Sequence, residues 1–160
     1  MRSSAARKAD EAALDLDAFL PYRLSVLTNR VSDAIARIYS ERFKLSIPEW
    51  RVMAVLGGTS NLSAREVAER TAMDKVAVSR AVETLVRARR VARTADAADG
   101  RIQRLALTAR GRAIYDEVVP LALHLEEVLL SALTVDERRQ LDTLMAKLAR
   151  QAALLGVSRP

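Results

Sequence analysis

Three capping boxes divide this 160-residue chain into helices whose starts are defined by the sequence itself. In this motif a Ser or Thr caps the amide three residues later, and a Glu at that position reaches back to the Ser or Thr amide. The boxes are Ser46-Ile-Pro-Glu49, Ser63-Ala-Arg-Glu66 and Thr134-Val-Asp-Glu137. Glycine and proline number only five and four, which favours few turns. The sequence therefore predicts a mainly α-helical fold.

Apolar periodicity places the remaining helices. Pro21 fits only the first turn of a helix, so a long helix should begin near Leu20 and run to about Arg42. Its apolar face is predicted from Leu20, Leu24, Leu27, Val31, Ile35 and Ile38. Thr108 should cap a helix reaching about Leu130, which Pro120 should kink or deprive of one hydrogen bond. The last helix carries a near-heptad stripe, Leu141, Leu144, Leu148, Ala152 and Leu155.

The stretch from Met73 to Arg90 predicts the second helix of a helix-turn-helix, because a tight break at Ala72-Met73 separates it from a short preceding helix. Asp74 is the expected cap of this second helix. Its inner face should carry Val78, Ala81, Val82 and Leu85. The opposite face should carry Val76, Arg80, Glu83 and Arg87, with Ser79 and Thr84 to either side. An outward valine suits contact with a thymine methyl group in a major groove, although single exposed valines are also common.

Two short strands are predicted after this helix, at Val91 to Thr94 and at Ile102 to Leu107. The loop between them contains Asp99-Gly100-Arg101. The fold class is therefore mainly α with a small two- to three-stranded β wing.

Positive charge is concentrated in the middle of the chain. Residues 61–112 contain 12 Lys or Arg against 6 Asp or Glu, whereas the rest of the chain contains 14 of each. The whole net charge of +6 therefore lies in this region, which is typical of a protein that binds a polyanion such as nucleic acid. The alternative is that surface arginine is simply common in this chain.

Several classes of function are not expected. The chain has no cysteine, and no apolar run approaches the roughly 20 residues that span a bilayer. The N-terminus has no apolar segment of a signal peptide, so a cytoplasmic protein without a membrane partner is expected. His124 is the single histidine, and no metal constellation surrounds it in the sequence. No nucleophile–base pair or phosphate-binding Gly loop occurs, so we predict neither an enzyme nor a cofactor.

The segment Asp99 to Thr108, DGRIQRLALT, resembles the D-x-R…L-T wing signature of the MarR family of bacterial transcription regulators. Other segments agree along almost the whole chain: LPYRLSVLTNRVS, IPEWRVMAVL, MDKVAVSRAVETL and TARGRAIYDEVVPLA. The order of the predicted elements is also that of a winged-helix regulator.

The resemblance implies a homodimer that binds double-stranded DNA, with a mobile tail at 1–13, dimerisation helices at 14–42 and 112–156, and a winged helix-turn-helix at 45–110. The implied DNA contacts are Lys75, Val76, Ser79, Arg80 and Thr84 on the recognition helix, Arg65 at a phosphate, and Arg101 in the minor groove. Arginine is the preferred cation of a narrow minor groove. Asp99 is expected to orient Arg101 or the wing turn, because a carboxylate is not attracted to phosphate.

The sequence departs from the family pattern at two places. Arg89-Arg90 follows the recognition helix where relatives usually have Gly and an apolar residue, so Arg89 should adopt a strained left-handed conformation or end the helix differently. These arginines could add phosphate contacts. Gly100 stands where relatives often have a second wing arginine, which removes one basic contact.

Many relatives release DNA when a small effector binds, often an aromatic carboxylate or its CoA thioester. By position, the residues that could line such a pocket are Tyr22, Arg23, Trp50, Met53 and Tyr115. Taken singly, each of them is better explained as a packing residue. We therefore predict a ligand-responsive repressor of a pseudo-palindromic operator; the alternatives are a winged-helix protein-interaction module and a non-specific architectural DNA-binding protein.

Overall fold

The computed structural model describes residues 14–157, so the tail predicted for residues 1–13 lies outside the described residues. Within this range the helices and strands follow one another in the order expected of a winged helix-turn-helix flanked by long helices. They are α1 (Leu20–Phe43), α2 (Ile47–Gly58), β1 (Leu62–Ser63), α3 (Ala64–Thr71), α4 (Lys75–Arg87), β2 (Val91–Ala95), β3 (Gln103–Leu107), α5 (Ala109–Leu130) and α6 (Val135–Val157). Residues 14–116 pack as one compact unit, and residues 117–157 as a second.

The predicted helix starts are confirmed by their capping hydrogen bonds. The Ser46 amide donates to Glu49 Oε2 at 2.7 Å, and the Glu49 amide donates back to Ser46 Oγ at 3.4 Å. The boxes that open α3 and α6 make the same reciprocal bonds. Thr108 Oγ1 accepts from the Gly111 amide at 3.1 Å, as predicted for the start of α5. These bonds satisfy amides that the first turn of a helix leaves without partners.

The wing sheet is antiparallel with strand order β1-β3-β2. Val91 pairs with Leu107 and Ala95 with Gln103, while the two-residue β1 pairs Leu62 with Leu105. The sequence did not indicate the position of β1. The strand predicted from Ile102 begins at Gln103, because the Ile102 amide closes the wing turn on the carbonyl of Asp99 at 2.9 Å.

The core of the first unit is built by α2, α3, α4 and the sheet. Its most deeply buried apolar side chains include Val52, Met53, Leu56, Val67, Val78, Val82, Leu85, Val91 and Leu105, each no more than 2% exposed. Burial of side chains of this size is the main stabilising contribution to such a unit. The core fixes which face of α4 points outward.

The long helices leave apolar surface uncovered. In the first unit, Leu20, Leu24 and Leu27 on α1 are between 37% and 53% exposed, although the sequence predicts them as one apolar face. In the second unit the exposed apolar side chains include Leu123, Val128, Leu129, Leu144, Met145, Leu148, Leu154 and Leu155. Clusters of exposed large apolar side chains are typical of interaction surfaces.

Pro120 lies inside α5, which is helical on both sides of it. No single helix among residues 14–157 is both long and apolar enough to cross a bilayer, although α5 and α6 pass that length-and-composition test as a bent pair.

Candidate nucleic-acid interface

The outer face of α4 is exposed as the sequence predicts. Val78, Ala81, Val82 and Leu85 are no more than 5% exposed and hold the helix on the core. Lys75, Ser79, Arg80 and Thr84 are exposed on the other side, and Val76 is 59% exposed. The Thr84 hydroxyl donates to the carbonyl of Arg80 at 3.1 Å, so its oxygen remains available as an acceptor. This face combines cations, hydroxyls and one apolar side chain.

The turn before α4 sets the direction of that helix. Ala72 has φ 52° and ends α3 in the left-handed region, where an L-residue is strained. Asp74 then caps α4: its Oδ1 accepts from the Ala77 amide at 2.8 Å. The capping role predicted for Asp74 is therefore confirmed.

A groove of about 460 Å³ separates α3 from the N-terminal end of α4. Its lining includes Arg65, Glu69, Asp74 and Lys75, so the structure brings the predicted phosphate contact Arg65 close to Lys75. Arg65 Nε donates to Glu69 Oε1 at 2.9 Å, and this hydrogen bond raises the pKa of Arg65. Both side chains are exposed, and an exposed ion pair contributes little to stability, so the Arg65 guanidinium can exchange Glu69 for another anion.

A second groove, of about 290 Å³, runs between the start of α2 and the outer side of α4. Arg80 and Thr84 line it together with Ser46, Pro48, Glu49, Ala77 and Ala81. Two of the predicted base-reading residues therefore stand at the rim of one concave surface.

Arg89 ends α4 in a left-handed conformation with φ 56°. The Arg89 amide donates to the carbonyl of Val86 at 2.9 Å, and the Arg90 amide donates to that of Leu85 at 2.8 Å. These two bonds form a Schellman motif, whose left-handed position usually holds glycine. The sequence predicted either a strained left-handed Arg89 or a different end to the helix, and Arg89 adopts the strained conformation.

Arg90 faces the protein rather than a DNA surface. Its Nη2 donates to the carbonyl of Phe43 at the end of α1, and burial lowers its pKa. The carbonyl of Arg90 accepts from the Thr108 amide at 3.0 Å. A Cβ added at Gly111 would lie 2.0 Å from that carbonyl oxygen, so a glycine is required there. Arg90 therefore joins α1 to the base of the wing, and the phosphate contact suggested for it does not match this geometry.

The tip of the wing is a hydrogen-bonded turn that exposes Arg101. Asp99 Oδ1 accepts from the Arg101 amide at 3.0 Å, so the carboxylate holds the backbone of Arg101. Asp96 Oδ1 accepts from the amides of Ala98 and Asp99 at 2.9 and 3.0 Å. Within residues 14–157 the Arg101 side chain forms no ion pair, which leaves its guanidinium available for an external anion.

Sequence reasoning missed the ion-pair network behind the wing. Arg104 on β3 donates to Asp96 Oδ2 at 2.5 Å and to Glu66 Oε2 at 3.0 Å. The hydrogen bond from Arg104 is the main reason why the pKa of Asp96 falls from its usual 3.8 to about 2. Both acids are within the charged middle of the sequence, but only the pairing of β2 with β3 brings Asp96 and Arg104 together.

The five predicted effector contacts do not line one cavity. Trp50 is buried between two tyrosines, with ring centroids 5.3 Å from Tyr39 and 6.1 Å from Tyr115. Met53 is fully buried in the core. Tyr22 and Arg23 line a separate open groove of about 290 Å³ with Asp17, Val26, Leu27 and Arg30, and its lining does not include the other three residues.

Residues 43–102, which contain the helix-turn-helix and most of the wing, match the sequence profile of the MarR family. An HTH-type transcriptional repressor of Mycobacterium tuberculosis is 30% identical over 141 residues, which cover 88% of this chain and 96% of that repressor. A MarR/EmrR family transcriptional regulator from Acinetobacter has a similar structure, with a TM-score of 0.81 at 26% identity over 88% of this chain and 99% of that one.

Two further solved structures share the fold at lower identity. The S. aureus protein MepR, in a complex with DNA, has a TM-score of 0.76 at 18% identity over 84% of this chain and 98% of its own. The PcaV transcriptional regulator of Streptomyces coelicolor, in complex with its natural ligand, has a TM-score of 0.70 at 24% identity over 88% and 99%. The predicted winged-helix fold and the predicted family are both confirmed by these matches.

Proposed function

Because this chain belongs to the MarR family of DNA-binding transcription regulators, we propose that it is a homodimeric repressor of a pseudo-palindromic operator and that a small molecule controls it. The observation that carries the proposal is the exposed outer face of α4, with Arg101 presented separately at the tip of the wing. Repression is the activity named for the M. tuberculosis relative. A DNA target makes the cytoplasm the proposed place of action.

The proposed DNA contacts divide by chemistry. Arg80 and Ser79 donate to base edges in the major groove, and Val76 contacts a thymine methyl group. Lys75 and Arg65 contact phosphates that flank the groove between α3 and α4, and Thr84 reads a base edge beside Arg80. Arg101 enters the adjacent minor groove, with its backbone held by Asp99.

The proposed dimer is supported by apolar surface that a single chain leaves exposed. The α1 face around Leu24 and Leu27 and the α6 stripe around Leu144 and Leu148 each expose large apolar side chains that a partner chain would cover. Residues 14–42 and 112–156 are therefore the proposed dimerisation segments, and 45–110 the DNA-binding region. A twofold dimer would present two α4 helices to half-sites about 10 bp apart.

The proposed effector site is the open groove on α1 that contains Tyr22 and Arg23. An arginine next to a tyrosine suits an aromatic carboxylate or the phosphates of its CoA thioester. Trp50, Met53 and Tyr115 are already in packed contacts, so a ligand would reach them only by displacing those contacts. The proposed direct contacts are therefore confined to Tyr22 and Arg23.

Footprinting on DNA from the protein's own genomic neighbourhood tests the DNA part of the proposal. We expect one protected pseudo-palindrome with half-sites one helical turn apart, roughly 10 bp. Equal affinity for all sequences would instead indicate an architectural DNA-binding protein, and no binding at any salt concentration would indicate a protein-interaction module.

A thermal-shift series tests the effector part. Salicylate and a benzoyl-CoA thioester are suitable first probes, because a ligand that binds the native state raises its stability. The proposed groove predicts that Arg23→Ala abolishes the shift and that Arg42→Ala, on the same helix, preserves it. A shift unaffected by Arg23→Ala would place the ligand elsewhere.

A further inference from the structure

One arginine joins the wing to the helix-turn-helix. The Arg104 guanidinium donates through Nε to Asp96, the residue after β2, and through Nη1 to Glu66, in the first turn of α3. The Arg104 side chain is 26% exposed and that of Asp96 16% exposed, so this pair is partly shielded from water. The planar fork of arginine reaches two carboxylates at once, which the single ammonium group of lysine does not do in a fixed geometry.

Each of the two carboxylates already organises its own element. Glu66 Oε2 accepts from the amide and the hydroxyl of Ser63, both at 2.7 Å, which caps α3. Asp96 accepts the amides of Ala98 and Asp99 through its other oxygen, which shapes the wing turn. Hydrogen bonds therefore run without a break from the start of α3, through Arg104 and Asp96, to the residue that precedes the wing tip.

The last bond of this series reaches the proposed DNA contact. Asp99, whose amide is held by Asp96, accepts the amide of Arg101 on its own carboxylate at 3.0 Å. Arg104 is neutralised by two acids and is poorly suited to contact phosphate. Arg101 forms no ion pair within the described chain and projects from the turn. Arg101 and Arg104 therefore have different environments and different roles.

We propose that Arg104 is a positioning residue for DNA binding, which orders the wing turn against α3 so that Arg101 enters the minor groove. This inference rests on the proposed DNA-binding function. A residue that does not touch DNA would then contribute to DNA affinity, with Asp96 and Glu66 as the two anchors of Arg104.

Hydrogen exchange in the free protein tests the ordering without DNA. In Arg104→Gln the amides of Ala98, Asp99 and Arg101 should exchange about 10-fold faster than in the wild type, because the turn loses its anchor. Asp96→Asn keeps one oxygen for the turn amides and removes the acceptor of Arg104, so it should have the same effect. It replaces Arg104→Gln in the experiment if that variant folds poorly. Arg93→Gln is the matched control, because Arg93 on β2 is exposed and forms no ion pair in the described range. Exchange in Arg104→Gln that equals the Arg93→Gln control would overturn the proposal.

A double-mutant cycle tests whether Arg104 acts through Arg101. If Arg101→Ala weakens operator binding about 10-fold, Arg104→Gln should weaken it by a similar factor. The double variant should then also bind only about 10-fold more weakly than the wild type. Arg104→Lys should not restore binding, because one ammonium cannot replace both contacts. Losses that multiply to about 100-fold in the double variant would show that Arg104 acts independently of Arg101.

These two experiments separate this inference from the proposed function. If the wild type selects an operator but the cycle is multiplicative, the positioning role is wrong and the function stands. If the wild type selects no operator, the function is wrong and so is the DNA-binding role of Arg104.

Discussion

Replacing Arg89 with glycine should make the protein more stable, although it deletes a charged residue next to the recognition helix. Residue 89 stands at φ 56° in the Schellman motif that ends α4. The motif depends on backbone atoms: the amides of Arg89 and Arg90, and the Arg89 carbonyl that accepts from Thr108 Oγ1 at 2.7 Å. A glycine would keep all of these hydrogen bonds.

The expected magnitude follows from two opposing contributions. An L-residue in the left-handed region costs about 1–2 kcal/mol. Glycine removes that cost but gains freedom in the unfolded chain, which opposes folding by about 0.4–1 kcal/mol. The net effect should be a gain of about 1 kcal/mol in the free energy of unfolding, or roughly 2–4 °C in Tm for a chain of this size.

Urea unfolding followed by the fluorescence of Trp50 is a suitable assay, because this single tryptophan is buried between Tyr39 and Tyr115. Protein concentration must be the same for all variants, since the stability of a dimer depends on it. Arg87→Gly is the matched control: it removes the same charge from the last turn of α4 and should destabilise by about 1 kcal/mol. If Arg89→Gly leaves the free energy of unfolding unchanged, or lowers it as Arg87→Gly does, the backbone at residue 89 is not strained.

Three other predictions concern packing, pH and assembly. Gly57→Ala should destabilise by about 1–3 kcal/mol in urea unfolding, because its Cβ would lie 2.1 Å from Cε2 of Tyr115; Gly58→Ala, with open space around it, should not destabilise. The native pKa of Asp96 is about 2 against a usual 3.8, so its ionised form stabilises the fold above about pH 4 and this contribution is lost as the pH falls towards 2. In an acid titration, Asp96→Asn should lack this loss of stability. Leu144→Glu should shift the protein to monomers in analytical ultracentrifugation, and unchanged sedimentation would exclude α6 from the dimer interface.

The parts of the fold that local rules determine were predictable from the sequence. The capping boxes at Ser46, Ser63 and Thr134 depend on residues three positions apart, so the chain itself shows where α2, α3 and α6 begin. The face of α4 followed from helical periodicity, which places Val78 inside and Val76 outside.

The parts that depend on long-range pairing were not predictable. The two-residue β1 is a strand only because Leu62 lies beside Leu105, and no local pattern marks it. The Arg104 network needs residues 66, 96 and 104 in one place, which follows from the sheet register. The charge of Arg90 suits a phosphate contact, but its guanidinium donates to the Phe43 carbonyl, 47 residues earlier in the chain. The charge of an arginine is visible in the sequence, whereas its partner is not.

The packing partners of the proposed effector contacts were likewise not visible in the sequence. Trp50, Met53 and Tyr115 were grouped with Tyr22 and Arg23 by their positions in the chain. Packing accounts for the first three, because Trp50 and Tyr115 stack on each other and Met53 is fully buried. Only the two residues on α1 remain beside open space.

Operator binding should be measured across salt concentrations for the wild type and for single variants of the recognition helix and the wing. This measurement shows whether the outer face of α4 and the wing tip bind DNA. Arg80→Ala should lose preference at particular base pairs, by a factor of about 10 or more at each. Arg101→Ala should weaken all sites and reduce the salt slope by about one unit. If both variants bind every sequence as the wild type does, or lose binding only because they unfold, then the exposed face of α4 and the wing tip are not the DNA-binding surface.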